Sequence, residues 1–197
     1  MRASTQRELV AGPSGRIEVA IDRPDGACRG AALIAHPHPQ FGGTLDNKVV
    51  QTLARAFVEL GYEAWRPNFR GVGQSEGAWD EGRGEVEDLL AVFNRISVEK
   101  RVLAGFSFGG AMAARLAERV QPERLVLVAP AVGNFAAPRV PANTLVIHGE
   151  RDETVPLAHV LDWARPQELP VVVVPGVEHF FHGKLHLLRA VVSENWK

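Results

Sequence analysis

Short apolar runs recur along the chain at Ala31–Ala35, Val102–Ala104, Leu125–Ala129, Thr144–Ile147 and Val171–Val174. They are rich in Val, Leu, Ile and Ala and do not alternate with polar residues, which is how strands covered on both faces read. Glu63–Phe69 is a weaker candidate of the same kind. Arg16–Ile21 does alternate, setting Ile17, Val19 and Ile21 against Arg16, Glu18 and Ala20. That pattern predicts an edge or antiparallel strand after a turn at Gly12-Pro13-Ser14-Gly15.

Helical patterns fall between these runs. Asn47–Leu60 places Val49, Val50, Leu53, Phe57 and Leu60 on one face and stops at Gly61. Glu85–Ile96 opens with Glu85, Glu87 and Asp88, which suit the positive end of a helix. The segment after Ser107 carries Ala111, Ala113, Ala114 and Ala117, small enough to let a helix lie close to a sheet. Thr154 is expected to cap a helix whose first turn holds Pro156, and a last helix is expected from about His182 towards Trp196. Strand and helix thus alternate, which predicts a single α/β domain over residues 1–197 with a mainly parallel central sheet and helices on both faces. Residues 130–143 alone separate two of the strands, too few for an inserted cap subdomain.

Bulk properties narrow the class without choosing a function. The chain has 197 residues, of which 46% are hydrophobic and 23% charged, as expected of a soluble globular domain. Lys plus Arg numbers 22 against 23 for Asp plus Glu, for a net charge of -1, and no basic run marks a nucleic-acid partner. No stretch approaches the roughly 18 apolar residues of a membrane span, and MRASTQRELV has no secretory h-region. Cys28, the single cysteine, forms no disulfide framework and reads as a bystander in a cytoplasmic protein. Trp65, Trp79, Trp163 and Trp196 are scattered and mark no dimer patch, so the oligomeric state stays open.

The chemistry begins at RVLAGFSFGGAMAARLAERV, residues 101–120, where an apolar strand runs into an alanine-rich helix through Gly105-Phe106-Ser107-Phe108-Gly109. A G-x-S-x-G corner of this kind is a nucleophile elbow: the serine sits on a strained turn with its Oγ clear of the sheet edge. Side chains at Gly105 and Gly109 would collide with the neighbouring strand and helix. The helix N-terminus beneath Ser107 offers unpaired N–H groups to an oxyanion. Such a serine needs a base and an orienting acid, in the chain order Ser, acid, His. HGERD follows the Thr144–Ile147 run and PGVEH follows Val171–Val174. Ser107, Asp152 and His179 therefore meet the order, each just past the end of a strand.

These segments, together with HPHPQFGGTLDNKVV at 36–50, NFRGVGQSEG at 68–77 and GVEHFFHGKL at 176–185, resemble the small lidless members of the α/β-hydrolase superfamily along almost the full chain. The resemblance is to predicted serine hydrolases related to carboxylesterases and dienelactone hydrolases. It implies an α/β-hydrolase fold, a Ser107-His179-Asp152 triad and no cofactor, and it implies no known substrate; the triad itself predicts a small-molecule acyl ester or thioester as substrate, and the histidine spacing is read as holding no metal. Ser107 stands where the dienelactone hydrolases carry cysteine, which argues against that activity. It also implies an oxyanion hole made by the N–H of Phe108 and a donor from the loop after Ala31–Ala35. Pro37 and Pro39 have no N–H, and among the rest the family's pattern favours His38, with Gln40 next.

Competing readings attach to several of these residues. His36 and His38, with His179 and His182, suggest zinc, but the flanking prolines read better as a stiffened loop in which His36 is a buried hydrogen-bonding residue. His148 is expected to brace the acid loop. His182 rivals His179 as base, and Glu150 and Glu153 rival Asp152 as acid. Asn68, Arg70, Gly71 and Ser75 read as turn architecture. Phe106, Phe108, Phe180 and Phe181 line either an acyl pocket or the core. For the whole chain the alternatives are a non-catalytic ligand- or protein-binding module, or an acyltransferase or perhydrolase using the same triad. Without a lid, short soluble acyl chains are expected over long lipids.

Overall fold

The computed structural model describes residues 5–196. Eight strands form one sheet: β1 (Thr5–Gly12), β2 (Gly15–Asp22), β3 (Gly30–Ala35), β4 (Tyr62–Pro67), β5 (Arg101–Phe106), β6 (Arg124–Val128), β7 (Leu145–Gly149) and β8 (Val171–Val174). Their order is β1-β2-β4-β3-β5-β6-β7-β8. β1 and β2 make an antiparallel hairpin, β2 joins β4 antiparallel, and every pairing from β4 to β8 is parallel.

The apolar runs are the parallel strands. β3 is buried at all its positions, and β5 and β6 at all but the first. Two layers of helix cover them. α2 (Arg83–Arg95), α3 (Phe108–Val120) and α4 (Leu157–Ala164) pack on one face against Leu33, Leu103, Leu125 and Leu127. α1 (Lys48–Glu59) and α5 (Leu185–Glu194) cover Ala32, Ile34, Val102 and Ala104 on the other. Asn47 caps α1, its Oδ1 accepting the N–H groups of Val49 at 2.9 Å and Val50 at 3.4 Å. The β6–β7 connection, Ala129–Thr144, contains neither helix nor strand, so no cap subdomain is inserted there.

The structure differs from the sequence reading at three elements. β1 is an additional strand: TQRELVAG does not alternate apolar with polar residues, only Val10 of the eight is buried, and the strand is held by its pairing with β2. Thr154 does not cap α4. Pro156 stands at the N-cap, and the Thr154 N–H is taken by Asp152 Oδ1. The last helix begins at Leu185, so His182 lies in the turn before it.

Candidate active site

Ser107 occupies the corner between β5 and α3 with φ 56° and ψ −118°, a conformation that costs a non-glycine residue about 1–3 kcal/mol. The surroundings hold it there. The Ser107 N–H donates to Val128 O at 2.9 Å, and the Ser107 carbonyl accepts the Ala131 N–H at 3.0 Å, so the end of β6 and the loop after it clamp both backbone groups of the serine. Ala129, itself at φ 43°, begins that loop. The two flanking glycines have the reasons anticipated for them. A Cβ on Gly105 would run into the backbone of Gly109 in the first turn of α3, and one on Gly109 into the carbonyl oxygens of Ala35 and His36. Close approach of α3 to the end of β3 thus requires glycine.

The parallel strands deliver the other two groups to the same rim. His179 Nε2 lies 3.1 Å from Ser107 Oγ, and His179 Nδ1 lies 2.6 Å from Asp152 Oδ2. An ionised carboxylate only accepts, so the imidazole proton sits on Nδ1 and Nε2 faces the hydroxyl as an acceptor. Asp152 is anchored independently: its Oδ1 accepts the N–H of Thr154 at 3.0 Å and of Val155 at 2.8 Å. The imidazole itself packs against two adjoining rings, Phe106 with centroids 4.8 Å away and Phe180 at 4.9 Å. Ser107, Asp152 and His179 are all buried.

The rival histidines and acids are occupied elsewhere. His182 is exposed and pairs with Glu178, Nδ1 to Oε1 at 3.0 Å. Glu178 also accepts the N–H groups of Phe180 and His182, which turns its carboxylate away from His179. Glu150 accepts the Gly176 N–H, and Glu153 is exposed. His148 donates from Nε2 to Val155 O at 2.9 Å and lies 3.6 Å from Asp152 Oδ2, bracing the acid loop. Burial lowers its pKa and keeps it neutral.

His36 is fully buried, with Nδ1 donating to Pro37 O at 2.6 Å and Nε2 accepting the Phe69 N–H at 3.0 Å. Desolvation depresses its pKa to about 4. With both ring nitrogens engaged, it has no lone pair for a metal. Among the described residues no group of three or more His, Cys, Asp or Glu side chains is arranged to hold one.

The loop after β3 forms a short 3-10 turn, Pro39–Phe41, over the start of α3. The Gln40 N–H donates to His38 Nδ1 at 3.2 Å, so this candidate donor is already committed within its own loop. No acceptor for the His38 N–H is found among the described residues, and Phe108, at the first position of α3, has no intrahelical acceptor for its own. Burial lowers the His38 pKa, keeping its imidazole neutral.

The 68–77 segment is architecture. Asn68 Oδ1 accepts the Leu45 N–H, Ser75 Oγ donates to Asn68 O and accepts the Glu18 N–H, and Arg70 forms a buried ion pair with Asp88 at 2.8 Å. Of the four phenylalanines flanking the site, Phe106, Phe108 and Phe181 are core and Phe180 faces solvent. Sequence reasoning missed the clamp made by Val128 and Ala131, and it missed Trp79 and Phe135, whose rings meet His38. Two surface cavities, of about 240 and 1220 Å³, contain no residue of the triad or of the 36–43 loop.

Fold and site together define a class. The chain belongs to the α/β hydrolase fold family, whose model matches residues 38–141. It is similar to an α-β serine hydrolase homologue from Coxiella burnetii, with 42% identity and a TM-score of 0.89 over 98% of this chain and 97% of that one. It is likewise similar to a Xanthomonas campestris protein described as an α/β serine hydrolase without a lid, with 37% identity and a TM-score of 0.91 over 99% of this chain and 94% of the other. An uncharacterised protein of Rickettsia prowazekii (strain Madrid E) is 32% identical, over 93% of this chain and 85% of its own length. The likeness supports hydrolase activity in general. Among the described residues no helix is long and apolar enough to cross a membrane.

Proposed function

We propose that this protein is a serine hydrolase that cleaves small acyl esters or thioesters through a covalent acyl-enzyme. One observation carries the reading: an unbroken hydrogen-bonded line runs from Asp152 through His179 to Ser107, whose backbone is strained and clamped. In the first step Ser107 Oγ attacks the carbonyl carbon while its proton passes to His179 Nε2. Asp152 holds the imidazole in the accepting tautomer and stabilises the imidazolium that forms. The oxyanion is received by the N–H groups of Phe108 and His38, each such donor being worth about 10²–10³ in rate. The bond to the leaving alcohol or thiol then breaks, and that group takes the proton from Nε2. Water, activated by the same imidazole, attacks the acyl-enzyme, releases the carboxylic acid and restores Ser107. No cofactor enters these steps.

The test is labelling with a fluorophosphonate probe. The wild-type protein is expected to label and Ser107→Ala is expected not to, and labelling that survives in Ser107→Ala refutes the assignment. The same reading expects short acyl chains on water-soluble substrates in the cytoplasm, with no nucleic-acid or membrane partner. A p-nitrophenyl ester series that favours chains beyond about ten carbons would contradict an uncapped pocket of modest volume.

A further inference from the structure

The strand order separates the two flanks of Ser107. It follows β5, and Asp152 and His179 arrive from β7 and β8 on one side, whereas the loops after β3 and β4 lie on the other. Toward that second flank, rings from the loops after β3 and β4, from α3 and, reaching across from the β6–β7 connection, Phe135 converge on the His38 imidazole. Trp79 lies 4.5 Å away between centroids, Phe41 4.7 Å, Phe108 5.0 Å and Phe135 5.7 Å. These separations lie in the range of favourable aromatic pairing. Phe108 forms the buried base, next to the reacting serine. Trp79 and Phe135 are half-buried, and Phe41 is 86% exposed.

The outward ring of Phe41 is held by a built turn. His38 Nδ1 caps the turn through Gln40, and the N–H groups of Phe41 and Gly43 donate to His38 O at 3.1 and 3.0 Å. The Gly42 N–H donates to Pro39 O at 3.2 Å. Pro39 and the left-handed Gly42 (φ 77°) fix its shape. The chain thus spends several hydrogen bonds on presenting an aromatic face to solvent on the His38 loop, whose imidazole packs on Phe108, the residue after Ser107.

The direction of attack says what meets that face. The leaving group must face His179 Nε2, which protonates it, and the oxyanion must face the backbone donors. The acyl substituent is then directed to the flank away from His179. Resting on the acyl-enzyme reading above, we infer that this flank is an acyl subsite for an aromatic carboxylic ester, its ring packed against the aromatic cluster that Phe41 and Trp79 make around His38. An open shelf covers one face of a flexible alkyl chain poorly, whereas a rigid planar ring matches it along its whole area.

The experiment compares p-nitrophenyl benzoate with p-nitrophenyl cyclohexanecarboxylate, whose rings are similar in size and differ in aromaticity. The readout is the ratio of their kcat/KM values in the wild type, Phe41→Ala, Phe41→Leu and Phe41→Tyr. Loss of the stack is expected to lower the benzoate-to-cyclohexane ratio about tenfold in the Ala and Leu variants, with Tyr restoring it and Trp79→Leu acting in the same direction. An unchanged ratio in Phe41→Ala, with Ser107 still labelled by the fluorophosphonate, overturns the subsite and leaves the hydrolase reading standing. Failure of wild-type labelling overturns both. A dimer in solution that Phe41→Ala converts to monomer, with the ratio unchanged, would assign the exposed ring to a second copy of the chain and refute the subsite.

Discussion

Replacing Asp152 with asparagine keeps the shape of the acid loop and inverts the chemistry of the base. The amide oxygen can still accept the N–H groups of Thr154 and Val155, now held at 3.0 and 2.8 Å by Oδ1. The amide NH2 then faces His179 Nδ1, 2.6 Å from the atom it replaces, and a donor there makes Nδ1 an acceptor. The proton moves to Nε2, which faces Ser107 Oγ at 3.1 Å and can no longer accept from it. In a serine protease triad this inversion lowers kcat by about 10⁴, or roughly 5.4 kcal/mol at 1.36 kcal/mol per decade. The same loss is expected here in kcat/KM for p-nitrophenyl acetate. Asp152→Ala separates the chemical effect from the structural one: it also strands two N–H groups, at a cost of about 1–3 kcal/mol each where they are buried. Asn should therefore unfold near the wild-type denaturant midpoint and Ala well below it. An Asp152→Asn protein that is folded and loses less than tenfold in kcat/KM would refute the claim that Asp152 sets the tautomer.

Three further outcomes follow from the geometry. Ser107→Gly should abolish activity yet unfold about 2–4 °C above Ser107→Ala, because glycine accepts φ 56° without the roughly 1 kcal/mol or more of strain that alanine keeps; equal melting temperatures would remove the strain argument. Asp88→Ala leaves the Arg70 guanidinium buried with only the Gly84 carbonyl as partner, and the denaturation free energy should fall by about 3–5 kcal/mol. Stability should also drop as the pH falls from 6.5 to 4. His36 in the unfolded chain gains its proton near 6.5, whereas the folded protein resists until about 4, so the unfolded state binds more protons across that window. The slope approaches roughly 1.4 kcal/mol per pH unit from this residue. NMR titration showing the His36 ring protonating near 6.5 in the folded protein would contradict it.

The parts of the site that were legible in the sequence share one property. Ser107, Asp152 and His179 each follow directly on an apolar run, and a parallel sheet brings the carboxyl ends of such runs to one rim whatever the loops between them do. Local chemistry therefore determined the elbow, the order of the triad, the glycines that let α3 approach β3 and the supporting role of His36. Tertiary structure alone decided the rest. β1 is held by pairing with β2 rather than by burial of its own side chains, so its composition carries no signal. Thr154 looked like a cap, but its N–H was claimed by a carboxylate whose position depends on β7 and β8. The aromatic shelf joins residues 38, 41, 79, 108 and 135, far apart along the chain, because the order β4-β3-β5-β6 interleaves segments that sequence keeps separate. Periodicity reports which face of an element is covered, and it is silent about which other element covers it.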